Sequence, residues 1–149
     1  MAPTVARISA LSLSAQKGTA KTNVPEAELR AGWGVVGDAH AGPGPRQVSL
    51  LAVEAVQALV DQGRIVPPGG MGENLTVEGL DLAALQVGDR LRIGTDAELE
   101  ISQRGKQCHG RCEIFRRVGD CIMPREGVFA RVTRPGRIRV GDAIEVLRG

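Results

Sequence analysis

Between Gln103 and Cys121 the sequence reads QRGKQCHGRCEIFRRVGDC, which gathers all three cysteines and one of the two histidines among basic side chains. Three chemistries use such a set. Cys108, His109, Cys112 and Cys121 spell C-H-x₂-C-x₈-C, and three thiolates with one imidazole form a legitimate zinc set. Against zinc, adjacent Cys and His seldom aim both donors at one ion, and the paired short-spacing knuckles of the usual zinc folds are missing. An iron–sulfur cluster normally takes four cysteines, one more than the chain has. Cys108 and Cys112 stand four apart, so on a helix they share a face and form a transient disulfide, although a reducing cytosol works against a stable one.

The third chemistry is that of a reactive thiol. Cys108 is flanked by Arg104 and Lys106 on one side and Arg111 on the other. Positive neighbours favour the thiolate, the form that ligates a soft metal, carries a persulfide or attacks an electrophile. His109, with an ordinary pKa of about 6.5, is placed to supply or accept a proton. The local sequence leaves all three readings open, with Cys112 and Cys121 otherwise read as core residues.

Outside this segment, His40 lies on a Gly- and Pro-rich stretch, GDAHAGPGPRQ, and Arg46 follows where it can contact an anion. Met71–Leu75, MGENL, is an unusually polar step into a strand, and Glu73 and Asn74 are read as bonding the neighbouring loop. Charge is uneven. Residues 1–103 carry 8 Lys/Arg against 12 Asp/Glu, a net −4, whereas residues 104–149 carry 11 against 5, a net +6. The basic excess begins where the cysteines begin, as an anion site beside the thiols or a solvated basic face would require.

The elements that position these groups are short. Val5, Ile8, Leu11 and Leu13 predict a first strand, residues 15–30 a long polar loop, and Arg46–Leu50 a second strand. Leu51–Gln62 has apolar residues at helical spacing, with Ser49 as N-cap and Gly63 at the C-terminus. A second helix is expected over His109–Val118, with Cys112 and Phe115 inward. ENLTVEG, RLRIG, AELEISQ, GVFARV and DAIEVL read as strands. Val-Gly-Asp occurs four times, at 36–38, 87–89, 118–120 and 140–142. The irregular spacing makes it turn chemistry that launches strands, with no repeat architecture. Short strands, Gly-rich turns and one or two helices point to a mainly β protein: a closed or partly closed barrel whose helices cover its open ends.

With 149 residues the chain is read as one domain, 1–149, large enough for a real core. No apolar run approaches the roughly 18 residues of a membrane span. The N-terminal stretch alternates apolar with polar residues and has one early cation, so it is read as a strand and no signal peptide; the odd cysteine count also favours the cytoplasm. There is no Tyr, and Trp33, Phe115 and Phe129 are the only other aromatic rings. No nucleic-acid motif is visible, so nucleic acid is not an expected partner.

The order GVVGDAHAG, RQVSLLAVEAV, GGMGENLTVEGLDLAALQVGDRLRIG, LEISQ, a cysteine, then GVFARVTRPGRIRVGDAIEVL resembles the MOSC domain, named for the C-terminal part of eukaryotic molybdenum cofactor sulfurases. The resemblance spans residues 5–147. It implies a MOSC-type β-barrel whose hallmark cysteine is Cys108. It further implies that this thiol carries sulfur as a persulfide or ligates molybdenum of a pyranopterin, the molybdenum cofactor. Arg104, Lys106 and Arg111 would then hold the cofactor phosphate or steady the thiolate, with Arg46 and His40 as pocket wall. The activities implied are cofactor sulfurtransfer and reduction of N-hydroxylated compounds. The alternatives are a non-catalytic carrier delivering molybdopterin to a molybdoenzyme, and the structural Cys₃His zinc domain. Gln103-Arg104-Gly105-Lys106-Gln107-Cys108 lacks the proline found in many family members at this approach, as in a stand-alone branch of the family. With only Lys17, Lys21 and Lys106, no pyridoxal-phosphate lysine is expected, so sulfur would come from a separate cysteine desulfurase.

Overall fold

The computed structural model describes residues 6–17, 19–105, 114, 118–119 and 121–147. Strands come first: β1 Arg7–Leu13, β2 Thr22–Val24, β3 Glu26–Arg30, β4 Gly34–Val35 and β5 Val48–Ala52. Helix α1, Val53–Asp61, crosses over to β6, Leu75–Glu78. A 3-10 turn at Leu82–Ala84 precedes β7 Arg90–Ile93 and β8 Ala97–Arg104. Short helix α2, Met123–Glu126, leads into β9 Val128–Arg134, β10 Gly136–Arg139 and β11 Ile144–Leu147.

Eight strands form one sheet in the order β11-β7-β8-β9-β5-β6-β1-β2, and β10-β3-β4 form a second. Among the described residues β5 and β6 are the one parallel pair, which is why a helix joins them: a parallel connection needs a crossover. The sheets are not closed into the expected barrel. The approach to closure is a single bridge between Arg7 and Ala143, flanked by backbone bonds from Ile8 N to Asp142 O (3.0 Å) and Ile144 N to Ala6 O (2.8 Å).

Strand β5, VSLLA, is buried along four of its five residues because both of its faces are covered. Leu50 points into the main core with Leu75, Leu11, Val128 and Ala130. Its neighbour Leu51 points the other way, with Phe129, into a second core formed by Val56 and Leu59 of α1, Met71, Ile114, Ile122 and Met123. The helices therefore cover a second face of the sheet centre and not the ends of a barrel.

Several sequence expectations shift. The polar stretch 15–30 contains β2 and β3. EAELR is built from helix-forming residues, yet alternates exposed with buried, with Ala27 and Leu29 inward. Its partner β10, GRIR, had given no strand signal. Their charges meet across the ladder, Glu26 bonding both Arg137 and Arg139 at 3.1 Å. On the outer face of the large sheet, paired positions form a row of alternating sign: Glu145, Arg92, Glu98, Arg134. Ser49 is not the N-cap of α1; it is a strand residue, and the cap position, Ala52, offers no side-chain bond. Gly63 does end the helix, at φ +88° with its N–H on Val60 O. The second helix expected at His109–Val118 lies largely outside the described residues, which include only Ile114 and Val118 of it.

The glycine of each Val-Gly-Asp has positive φ, from +88° to +99°. Two of these turns launch strands, β7 and β11, and there Asp89 and Asp142 cap their own turns by accepting from Gln86 N (2.9 Å) and Arg139 N (2.8 Å). Gly34 is different: at φ +128° a Cβ would lie 2.6 Å from the Gln47 carbonyl oxygen. Gly88→Ala, in open space, is expected to cost about 1 kcal/mol from backbone strain alone, and Gly34→Ala about 3 kcal/mol because strain and clash add. Equal losses in urea unfolding would show that the close approach at Gly34 does not matter.

Candidate functional site

The first Val-Gly-Asp turn differs from the two that launch β7 and β11. Asp38 directs its carboxylate away from its own turn to two other segments. Oδ1 accepts from Ser14 N (3.0 Å) and from Lys21 Nζ (2.7 Å), while Oδ2 accepts from His40 N (3.1 Å). The side chains of Lys21 and Asp38 are 1% and 0% exposed. Burial alone would raise the Asp38 pKa. The contacts with His40 and Lys21, the Ser14 N–H and the Lys21 charge outweigh it and hold the carboxyl well below the usual carboxylate range. His40 completes the cluster, its Nδ1 lying 3.1 Å from Lys21 Nζ.

Lys21 is tied by its backbone N–H to Gly69 O (3.0 Å), and the Gly69–Gly72 loop is hooked from within by Glu73. That carboxylate accepts from Met71 N and Gly69 N, both 3.2 Å, and from Thr76 Oγ1 at 2.7 Å. Burial nevertheless pushes its pKa above the usual carboxylate value, the hydrogen bonds offsetting only part of the desolvation. Asn74 stitches three strands where the ladder begins: Oδ1 accepts from Ser49 N (3.0 Å) and Nδ2 donates to Ser12 O (3.2 Å). The expectation that both residues of the MGENL step bond their surroundings is met. Gly72 packs beneath Ile114, whose Cδ1 would be 3.1 Å from an added Cβ. The loop thus touches the first described residue after the Cys108 segment.

A cavity of about 880 Å³ opens where β5 passes into α1. Its wall combines Leu80, Leu82, Ala55 and Val128 with Arg104, Glu126 and the backbones of Gly79, Gly105 and Gly127. Arg104 ends β8 and spends one donor, Nη1, on Leu85 O (2.9 Å). Gly105 is pinned by its N–H on Gly127 O (2.7 Å). Arg104 is exposed and, among the described residues, has further donors to give, four residues before Cys108.

The sequence-predicted residues are thus divided. Cys108, His109, Lys106, Arg111 and Cys112 lie outside the described residues. Arg104 lines the cavity; His40 and Arg46 do not. Arg46 is exposed, although the preceding Pro45 carbonyl accepts from Ser102 Oγ on β8. Cys121 is partly buried against the second core. Sequence reasoning missed the Lys21–Asp38 pair. Its one signal was that the first Val-Gly-Asp leads into a loop bearing a histidine, with no strand to launch.

A family model described as MOSC domain matches residues 37–145. The chain belongs to the MOSC domain family. Among solved structures, it is similar to the YuaD protein from Bacillus subtilis, with 22% identity, 96% of each chain covered and a TM-score of 0.78. YiiM from Geobacillus stearothermophilus is 21% identical, with 96% of this chain and 75% of that one covered and a TM-score of 0.74. YiiM from Escherichia coli is also 21% identical, with 96% and 70% covered and a TM-score of 0.65. At these identities the likeness establishes the fold. No curated protein matches the chain. No helix among the described residues is long and apolar enough to cross a membrane.

Two measurements test the energetics of this MOSC domain's polar centre. Lys21→Met leaves Asp38 buried without its cation and is expected to cost about 3–5 kcal/mol. Arg7→Met, removing half of the exposed Arg7–Glu78 pair, is expected to cost less than about 1 kcal/mol. Similar losses in urea unfolding would mean the Lys21–Asp38 pair is not effectively buried in solution. For Glu73, a folded pKa above the unfolded value means its stabilising contribution is full below about pH 4.5 and is lost as pH rises through the folded pKa. The Asp38 effect runs the other way and lies below about pH 4. Unfolding free energies from about pH 4 to pH 8 should show this upward-pH loss in wild type and not in Glu73→Gln; parallel curves would rule out Glu73 as its source.

Proposed function

We propose that this MOSC domain binds molybdenum cofactor in the cavity beside Arg104 and handles sulfur or metal through Cys108. MOSC domains are associated with molybdenum cofactor binding and sulfur handling in general. The observation that carries the reading to this chain is Arg104, a cation with donors to spare, on the wall of the cavity four residues ahead of that thiol.

The residues present fit such a group. A cavity of about 880 Å³ is within the range of cofactor sites, roughly 300–1,000 Å³. Leu80, Leu82 and Val128 offer apolar surface to a heterocycle, and Arg104 and Arg125 are the wall's cations beside the carboxylates of Glu54, Asp81 and Glu126. Arg104 would hold the phosphate through charge-assisted hydrogen bonds, with Lys106 and Arg111 adding positive charge around the thiolate. Cys108 would supply soft sulfur and His109 a proton. When bound, the cofactor supplies two-electron redox chemistry at its metal.

The test is elemental analysis for molybdenum, tungsten and zinc, with pterin release, on protein purified without air from a host that makes the cofactor. Wild type is expected to carry molybdenum or tungsten with a releasable pterin. Cys108→Ala is expected to stay folded and lose the metal or its sulfur. Arg104→Ala should weaken cofactor binding at least about tenfold, as loss of a charged hydrogen bond does. Stoichiometric zinc, lost on replacing Cys112 or Cys121, would overturn the proposal. In protein that carries the cofactor, steady-state reduction of N-hydroxylated substrates identifies an enzyme; saturable transfer to an acceptor protein without turnover identifies a carrier.

A further inference from the structure

A histidine beside an aspartate ordinarily donates Nδ1–H to the carboxylate, which leaves Nε2 with a lone pair for a metal or for general-base work. His40 stands beside both Asp38 and Lys21, and its ring makes the shorter contact with Lys21. His40 Nδ1 is 3.1 Å from Lys21 Nζ and 3.6 Å from Asp38 Oδ2. The shorter contact is a hydrogen-bond length; the longer is not. An ammonium has three protons to give and no lone pair to offer. Facing it, Nδ1 has to accept.

The ammonium itself is fixed. Asp38 holds it at 2.7 Å, and the side chain is 1% exposed. The carboxylate accepts from Nζ at 2.7 Å, so the amine faces it as a donor. Asp38 is in turn held by the N–H groups of Ser14 and His40, so the pair cannot turn to present an oxygen to the ring without breaking bonds to two loops.

We infer that Lys21 is a positioning residue that fixes His40 as its Nε2–H tautomer, making it a hydrogen-bond donor for an oxygen atom of a bound ligand. A neutral ring whose Nδ1 accepts carries its one proton on Nε2. Among the described residues Nε2 has no partner, and the side chain is 21% exposed, so that donor is open to a ligand. The site selects an oxyanion or carbonyl oxygen and disfavours a divalent cation, because ligation at Nε2 would need the proton removed. The tautomer follows from Lys21 and Asp38 alone. His40 does not line the cavity beside Arg104, so this donor is assigned to an oxyanion without reliance on the proposed function.

The test reads the imidazole nitrogens directly by long-range ¹H–¹⁵N correlation at about pH 8.5, well above ordinary histidine titration. With two histidines in the chain, His109→Gln assigns the signals. Wild type is expected to show Nδ1 bare and Nε2 protonated. Lys21→Met removes the cation that Nδ1 faces, and Nδ1 should then protonate toward Asp38, leaving Nε2 bare. Because Lys21→Met is destabilised, Lys21→Arg serves as the second variant: it keeps a donor-only cation and should keep the wild-type pattern. Nδ1–H or a persistent imidazolium in wild type, or an unchanged tautomer in folded Lys21→Met, would overturn the inference. A separate arm titrates inorganic phosphate: the wild-type His40 Nε2–H signal is expected to shift saturably, and His40→Gln, which retains a side-chain donor, should bind more tightly than His40→Ala. Equal binding by the two variants, or no shift in wild type, would refute the donor's ligand role while leaving the tautomer standing.

Discussion

Two adjacent polar side chains, Glu73 and Asn74, each 1% exposed, must have their hydrogen bonds met for the centre of this sheet to exist. A buried polar group without partners costs more than the net gain from a typical hydrogen bond. Asn74 meets its needs by spanning β1 and β5, and Glu73 meets its own by folding the Gly69–Gly72 loop back onto itself. One residue therefore sets the register of three strands, and the next sets the loop against which Lys21 and Ile114 rest. The sheet centre and the polar cluster share a single origin in the chain.

The cluster beyond that loop is arranged to hold charge out of water. Lys21 and Asp38 are almost wholly buried, and an ion pair in that setting is weak evidence of stability, since desolvation offsets much of the attraction. Its geometric effect is clearer. Asp38 joins the end of β1, the approach to β2 and the His40 turn, so three loops without regular structure are held to hydrogen-bond precision. The cavity beside Arg104 is organised differently: glycines and aliphatic side chains share the wall with Glu54, Asp81, Glu126 and Arg125, and Arg104 bonds one carbonyl, that of Leu85. This MOSC domain thus has a rigid buried polar site and a roomier amphipathic one.

Much of this was legible in the sequence where burial follows period. LTVE, RLRI and VFARVTR alternate or run apolar as half-buried strands do, and α1 repeats apolar residues at helical spacing. Strand β3 was not legible because Glu, Ala and Leu are good helix formers and because the charges that marked EAELR as a loop are matched by those of β10, more than a hundred residues away. Ser49 looked like a cap because it precedes a helix; its actual partner, Asn74, is 25 residues on. The Lys21–Asp38 pair was hidden for the same reason, since local sequence shows neither burial nor the approach of separate loops. Arg104 was picked out from its neighbours in sequence, but its cavity depends on β5, α1 and α2, which local sequence does not bring together.

The bridge between Arg7 and Ala143 makes β1 unusual in time as well as in space. On one side β1 pairs with β6, on a partner some 60–70 residues later in the chain; at its start it also waits for residues 141–144. A chain emerging N-terminus first presents β1 long before either partner exists. Loop-closure entropy must be met before such contacts give anything back, so topologies of this kind fold slowly. Among the described strands β1 is made early and completed late, and until then its apolar residues, Ile8 and Leu11 among them, remain open to other chains.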